Sequence, residues 1–473
     1  MTGAYTHIYS TLDAGVITGA GATEAVPRVA ALGDSLVAYA TQTFVGSSPA
    51  LKIRTGFDVL GYSLGRLRSF NENTWNDASA PFNGAYGSNF GRGSQCIGPS
   101  PSFAGINSFI PDVVSRRPAV VIYAAGTNNI LGKDDLQPGL PTAPAFFSSN
   151  TSYILTALDS GVAALRAGGS AVIIATIPIS GTYAKDSTSD LLRRAVNTGI
   201  LAMHNPANRV FAWDRAAACE NGDGTINTNC FQSDTIHFSA YGAWKASLTL
   251  DPAISAILPS TDIFATVRAG TSLLIMQPGM LGTGGTLSTG AGVTVSGVVC
   301  TNGSLAGAAA TADHTVASKE VVSGSEEKQV FTITPNGVSG SITFESQILT
   351  PPLLTNGDWY QAFCEVEDDG LGRWTQMQLQ GRVTEGTNTV RAASNAFQVY
   401  SPDHLRAQGP ELGSPSSRFL LVGCPALVPS GFTIGRLRAN LVISWPATSG
   451  TFVVKLSRMG VFKIPNPRTA WQY

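Results

Sequence analysis

Three short stretches of this chain carry side chains able to move protons or attack an electrophilic carbon. In "LGDSLVAYA", Leu32 to Ala40, Ser35 follows the apolar run "RVAAL". A serine where a strand turns into a helix is either an exposed nucleophile or a residue near a helix N-terminus. In "SDTIHFSAYG", Asp234 and His237 stand three apart. That spacing lets the carboxylate fold back on the imidazole, fix its tautomer, and stabilise the imidazolium formed when His237 takes a serine proton. Asp234 could equally cap a helix starting near Ser239. In "YAAGTNN", Asn128 directly follows an apolar run. Its amide could donate to the oxyanion of a tetrahedral intermediate, or simply shape a tight turn.

These residues need a scaffold that brings distant parts of the chain together. From Arg28 onward, short apolar runs alternate with helical patterns: "RVAAL", "AVVIYAA" (119–125), "AVIIATI" (171–177) and "RVFAW" (209–213). Such runs read as buried parallel strands. Between them, Phe103, Ile106, Phe109, Ile110, Val113 and Val114 recur at helical spacing over 102–115, with a kink expected at Pro111. A second helix places Ile154, Leu158, Val162 and Leu165 on one face and stops at Gly168 and Gly169. A third runs from near Asp190 through Leu192 and Val196 to about Met203. The alternation predicts a three-layer α/β/α domain with a parallel sheet over 28–258.

Residues 1–27 form a Gly/Ala/Thr-rich stretch without period, read as an extended arm. Past Leu258 the texture changes to Gly/Thr-rich sequence and then to short alternating segments: "QVFTITP", "SITFESQIL", "WTQMQLQGRV", "RFLLVGC", "NLVISW" and "TFVVKL". Alternation with turn signals between segments predicts an all-β sandwich, jelly-roll-like, over 259–473.

The chain has 473 residues, 43% hydrophobic and 13% charged, enough for substantial cores in two domains. A formal net charge of -1 offers no basic excess to neutralise phosphates, so no nucleic-acid partner is expected. No apolar run is long enough for a membrane span, and the first residues lack a basic region followed by an apolar one, so no standard signal peptide is expected. Abundant Gly and small polar residues with sparse Lys and Glu suit an extracellular, cell-surface or virion setting, and a cytoplasmic one stays open. Six cysteines without C-x-x-C spacing make a structural zinc site unexpected; Cys219 and Cys230 could close a small loop under oxidising conditions.

"GDS", "GTNN" and "DTIH" fall in the order seen in the SGNH hydrolases, or GDSL-type esterases, which residues 28–258 resemble. The resemblance implies Ser35 as nucleophile, His237 as base and Asp234 as its orienter. It implies an oxyanion hole from the Ser35 N–H, the Asn128 amide and one glycine N–H, with no cofactor or metal. If that glycine ends a strand, one helix and one strand must fit before Asn128, which favours Gly98 over Gly87 and Gly84. "CIGPSPS" also resembles part of the rhamnogalacturonan acetylesterases. Two departures stand out: Asn129 replaces the family's common Asp, and a long insertion around "FNENTWNDASAPFNGAYGSNF" could build part of a pocket.

The family implies hydrolysis of O-acyl esters. A trailing β-sandwich points to carbohydrate O-acetyl esters, and display on a phage tail or head fibre, alone or as a homo-oligomer, is one expected setting. A lipase-like carboxylesterase and a silent glycan-binding or structural module are the alternatives. Trp359, Tyr360 and Trp374 are either sugar-stacking platforms or core aromatics. His7, His204, His314 and His404 lie in no comparable motif and are read as surface or structural residues.

Overall fold

The computed structural model describes residues 29–39, 41–44, 51–54, 59–60, 89–99, 104–132, 145–257, 273–277, 280–288, 293–309, 313–324, 326–348, 354–369, 373–374, 376–385, 391–400, 418–422, 426–428, 434–447 and 450–464. The expected arm over 1–27, Gly84 and Gly87 lie outside them.

The four apolar runs form β1 (Val29–Gly33), β5 (Val120–Ala124), β6 (Ala171–Ala175) and β7 (Val210–Trp213). A short strand, β4 (Asn89–Gly91), joins them, and the sheet order is β4-β1-β5-β6-β7 with every pairing parallel. Successive side chains alternate faces and both faces are buried. Val29, Ala31, Ile122, Ala124, Ile173 and Ala175 share one core with the helix Ala240–Ile257, here α6. Ala30, Leu32, Val121, Tyr123, Val172 and Ile174 enter the other core. That second core takes in the helices α2 (Ile110–Ser115), α4 (Ala145–Ala167) and α5 (Thr188–Ala202). The layers are therefore α/β/α, and Ile154, Leu158, Val162 and Leu165 are buried as their spacing predicts.

The helix expected over 102–115 is split. A 3-10 turn covers Ile106–Phe109 and α2 starts at Ile110, so Pro111 lies in its first turn rather than inside a kinked helix. Its missing N–H costs nothing there.

The C-terminal strands are β8 (Leu273–Gln277), β9 (Thr286–Ser288), β10 (Val293–Gly297), β11 (Gly303–Ala309), β12 (Asp313–Ser323), β13 (Glu326–Thr334) and β14 (Gly340–Ile348). They continue with β15 (Trp359–Asp368), β16 (Gln376–Glu385), β17 (Arg391–Tyr400), β18 (Arg418–Val422), β19 (Ala426–Leu427), β20 (Ile434–Trp445) and β21 (Phe452–Ile464). One sheet contains β13-β21-β15-β18 and the other β14-β20-β16-β17. Chain order across these two four-strand cores is that of a jelly roll, two interleaved Greek keys. The inner faces meet through ring pairs: Phe331 with Phe344 at 5.5 Å and Trp445 with Phe452 at 6.3 Å.

After Ser35, a hairpin of β2 (Thr41–Phe44) with β3 (Leu51–Arg54) joins this second unit, while the stretch "FNENTWNDASAPFNGAYGSNF" expected to build part of a pocket lies, but for Asn89 and Phe90, outside the described residues. The hairpin pairs beside β17 through Arg54 and Phe397. Tyr360 is fully buried, and Trp374 is buried with its indole N–H donating to Asp368 at 2.9 Å. Both are core aromatics rather than sugar platforms; the side chain of Trp359 lies outside the described residues.

Among the described residues no helix is long and apolar enough to cross a membrane.

Candidate active site

The first connection leads from β1 to β4 on one side, and the next returns across it to β5 on the other. A crevice opens at the C-terminal ends of two strands whose connections diverge in this way. Ser35 follows β1 and Asn128 follows β5, so both stand at that switch point.

Asp34 caps α1 (Ser35–Ala38): its Oδ1 accepts the Leu36 N–H at 3.0 Å. Its Oδ2 accepts the Thr127 N–H at 3.2 Å, tying this turn to α3 (Thr127–Ile130). The turn before α3 rests on Gly126, at φ +116, where a side chain would also collide with Ile177. Asp34 is fully buried, so these bonds replace the water its carboxylate gives up. Ser35 is left at the first helical position, its own N–H without a partner among the described residues.

His237 arrives from the far end of the domain. Its Nε2 lies 2.8 Å from Ser35 Oγ, and its Nδ1 lies 2.5 Å from Asp234 Oδ2. An ionised carboxylate only accepts, so Nδ1 carries the proton and Nε2 presents its lone pair to the serine hydroxyl. Asp234 Oδ1 also accepts the backbone N–H groups of Ile236 and His237, each at 3.0 Å. Partial burial alone would raise the Asp234 pKa. The bonds from the His237 ring and from the two backbone N–H groups outweigh it and hold the carboxyl below its usual range. This loop is closed at its base by Ser239 N–H to Cys230 O at 3.0 Å and by a bridge between Phe231 and Phe238.

Asn128 is buried, and its Nδ2 donates to Gln95 O at 2.9 Å. An amide nitrogen has two hydrogens, so one remains for another acceptor. Asn129 Oδ1 accepts the Ile97 N–H at 3.1 Å. Asn129 thus holds the loop that follows β4.

The strand placed at Gly98 by counting elements ends at Gly91. Residues 92–99 and 104–105 form no helix or strand, and a 3-10 turn precedes α2 where the count placed one continuous helix. Gly98 packs toward α4, where an added Cβ would stand 2.9 Å from Tyr153 Oη. The Gly91 N–H is occupied by Asn89 Oδ1 at 2.9 Å, and the Arg92 N–H by Gly33 O at 2.8 Å. Gly93 comes next, exposed, between Arg92, which is tied to Gly33, and Gln95, which is tied to Asn128, and its N–H has no partner among the described residues. The sequence signal for it was the pair of glycines flanking Arg92 directly after "NF".

Two further residues join the site. Tyr39, one turn past Ser35, lays its ring on the His237 imidazole with centroids 4.2 Å apart. Arg215 lies buried beneath the turn, its Nε donating to Thr176 O at 3.2 Å. Burial pushes its pKa down, opposed by the charge of Asp34. It borders a cavity of about 40 Å³ together with Leu36, Val37, Phe238 and Trp213.

Of the other histidines, His204 accepts the Ala212 N–H at 3.2 Å and packs edge-on to Phe211, a structural role. His7 and His404 lie outside the described residues.

Neither a family model nor a curated protein matches this sequence. Among solved structures it is similar to a carbohydrate esterase of family 3 from Talaromyces cellulolyticus, at 17% identity over 48% of this chain and 96% of that one, with a TM-score of 0.29. A GDSL-like lipase from Bacteroides thetaiotaomicron is 15% identical over 54% of this chain and 98% of its own, with a TM-score of 0.31. The enzymatically active domain of tailspike protein 4 from bacteriophage CBA120 is 15% identical over 35% of this chain and 20% of that one, with a TM-score of 0.23.

Proposed function

We propose that residues 28–258 form a serine ester hydrolase of the SGNH type, with Ser35 as nucleophile, His237 as general base and Asp234 as the residue that orients it. The observation that carries this reading is the unbroken chain from Ser35 Oγ to His237 Nε2 at 2.8 Å and from Nδ1 to Asp234 at 2.5 Å. His237 takes the Ser35 proton as Oγ attacks the ester carbonyl. The imidazolium then returns that proton to the leaving alcohol, and water, deprotonated by the same nitrogen, releases the acid from the acyl-enzyme.

The developing oxyanion is held by the Ser35 N–H, by the second hydrogen of the Asn128 amide and by a glycine N–H. For the glycine, Gly93 is favoured over Gly98. It lies on the loop pinned to both Gly33 and Asn128, and its N–H is uncommitted. No step in this mechanism calls on a metal or cofactor.

The substrate class we assign is an O-acetyl ester on a carbohydrate. The jelly roll attached to the hydrolase unit supports it, since that architecture recurs in glycan-binding and capsid proteins. Low charge and abundant small polar residues fit display on a cell surface or a phage fibre. The test compares p-nitrophenyl acetate with p-nitrophenyl octanoate, followed by acetate release from acetylated polysaccharide, with Ser35→Ala as control. Turnover of the short ester and of the glycan, lost in Ser35→Ala, is the expected result. Preference for octanoate would favour a lipase-like carboxylesterase, and no Ser35-dependent turnover would leave a binding or structural role.

A further inference from the structure

Two cysteines outside the proposed catalytic chain occupy the segment that leads to it. Cys219 ends the 3-10 turn Ala217–Cys219, and Cys230 ends the turn Thr228–Cys230. Both side chains are fully buried. The Cys230 sulfur stands 3.7 Å from the carbonyl oxygen of Ala218, the neighbour of Cys219, and the Cys230 thiol is close enough to act on the Cys219 thiol. The backbone between them is folded to suit: the Asn227 N–H donates to Cys219 O at 3.0 Å, the Cys230 N–H donates to Asn227 O at 2.9 Å, and Glu220 bridges to Ile226. Two other buried thiols face different groups. Cys300 lies 3.8 Å from the Met280 sulfur, and Cys364 lies 4.0 Å from the carbonyl oxygen of Glu365.

We propose that Cys219 and Cys230 are the site of an intrachain disulfide that clips the base of the loop carrying Asp234 and His237. Cys230 is the residue on which that loop closes: its carbonyl accepts the Ser239 N–H, and α6 packs so tightly on it that a side chain at Gly242 would overlap Cys230 O. A bond from Cys230 to Cys219 fixes this closure to the end of the β7 connection. The position of the imidazole then no longer depends on the surface strand of loop between the two cysteines.

The chemistry requires an oxidant, which we take to be a low-molecular-weight disulfide. One thiolate attacks a sulfur of that disulfide and displaces the first small thiol, leaving a mixed disulfide. The second cysteine thiolate then attacks the protein sulfur and displaces the second small thiol. Two protein S–H bonds are replaced by one S–S bond, and the external disulfide is reduced to two thiols. Burial, together with the neighbouring thiol, holds the Cys219 pKa well above its ordinary value. Attack from the closed, folded state is therefore slow, and the bond forms while the chain folds or during transient opening.

The test uses the full chain refolded with oxidised glutathione, then denatured in iodoacetamide without reductant and mapped by mass spectrometry. The expected result is one linked peptide pair joining Cys219 to Cys230, with the remaining cysteines alkylated, and full alkylation after reduction in denaturant. Reduction should also lower the thermal midpoint by roughly 5–10 °C, as expected for opening a loop of this size. A Cys219→Ala, Cys230→Ala double variant should show neither the linked pair nor any response to reductant. Alkylation of all cysteines, or a link joining any other pair, overturns the proposal. The alkylation map is read on the unaltered protein, so it decides even if the double variant fails to fold. It is also independent of whether the protein hydrolyses esters.

Discussion

The two segments that meet at Ser35 are built differently. The Gly33–Ser35 turn is sunk in the sheet: Asp34 is fully buried and Ser35 is 8% exposed, with α1 pressed against the end of β4. The Asp234–His237 segment is a surface loop, and the Asp234 side chain is 43% exposed. Ser35 is thus placed by packing, whereas Asp234 and His237 are placed by their own local hydrogen bonds and by closure at Cys230. Rigidity on one side and a self-braced loop on the other meet at a single 2.8 Å contact.

Removing the contact itself has the largest expected effect. Ser35→Ala should lower kcat for a short ester by about 10⁶-fold with the fold intact, because triad members act as a unit. Circular dichroism measured beside the kinetics separates loss of chemistry from loss of structure. On the loop side, Asp234→Asn should cost about 10⁴-fold in kcat, chiefly by freeing His237 to take the wrong tautomer. An unchanged rate would mean that packing, not the carboxylate, orients the ring.

Asn128→Ala tests the buried side at the oxyanion. We expect a loss of about 10² to 10³-fold in kcat with KM little changed. A rise in KM alone would place the amide in ground-state binding instead. Asp34→Ala removes the cap of α1 and its tie to α3, and should destabilise the domain by about 1–2 kcal/mol in urea unfolding.

The smallest effect sharpens the contrast through pH. The Asp234 carboxyl is depressed in the folded protein, so its contribution to stability is present above the ordinary aspartate value of 3.8 and is lost as pH falls through the lower folded value. The stability gap between wild type and Asp234→Asn should therefore shrink as pH falls below that point. Unfolding midpoints at a series of pH values read this directly, and exposure of the side chain keeps the change small.

How much of this was legible in the sequence follows the same division. β1, β5, β6 and β7 are continuous apolar runs and were readable, as were the helices whose apolar residues repeat at helical spacing. β4 was not, because Phe90 is its single large apolar residue, and its loss displaced the glycine count to Gly98. The three site stretches could be named from residue types, but their meeting could not. It depends on crossover connections that spacing does not encode. The jelly roll was readable as alternating strands, whereas its order, β13-β21-β15-β18 against β14-β20-β16-β17, rests on pairings between strands far apart in the chain. The hairpin of β2 and β3 was hidden for the same reason: its partner β17 lies in the other half of the molecule. Tyr39 lies within the Leu32 to Ala40 stretch, yet nothing local marks it as the ring that covers His237.

The central claim is that His237, held by Asp234, makes Ser35 a nucleophile. Labelling with a fluorophosphonate, followed by peptide mapping, tests it most directly, since such reagents phosphonylate a serine hydroxyl activated by a neighbouring base. The account predicts modification at Ser35 in the wild type and its loss in a folded His237→Ala variant. Labelling at another residue, no labelling of the wild type, or equal labelling of Ser35 without His237 would contradict it.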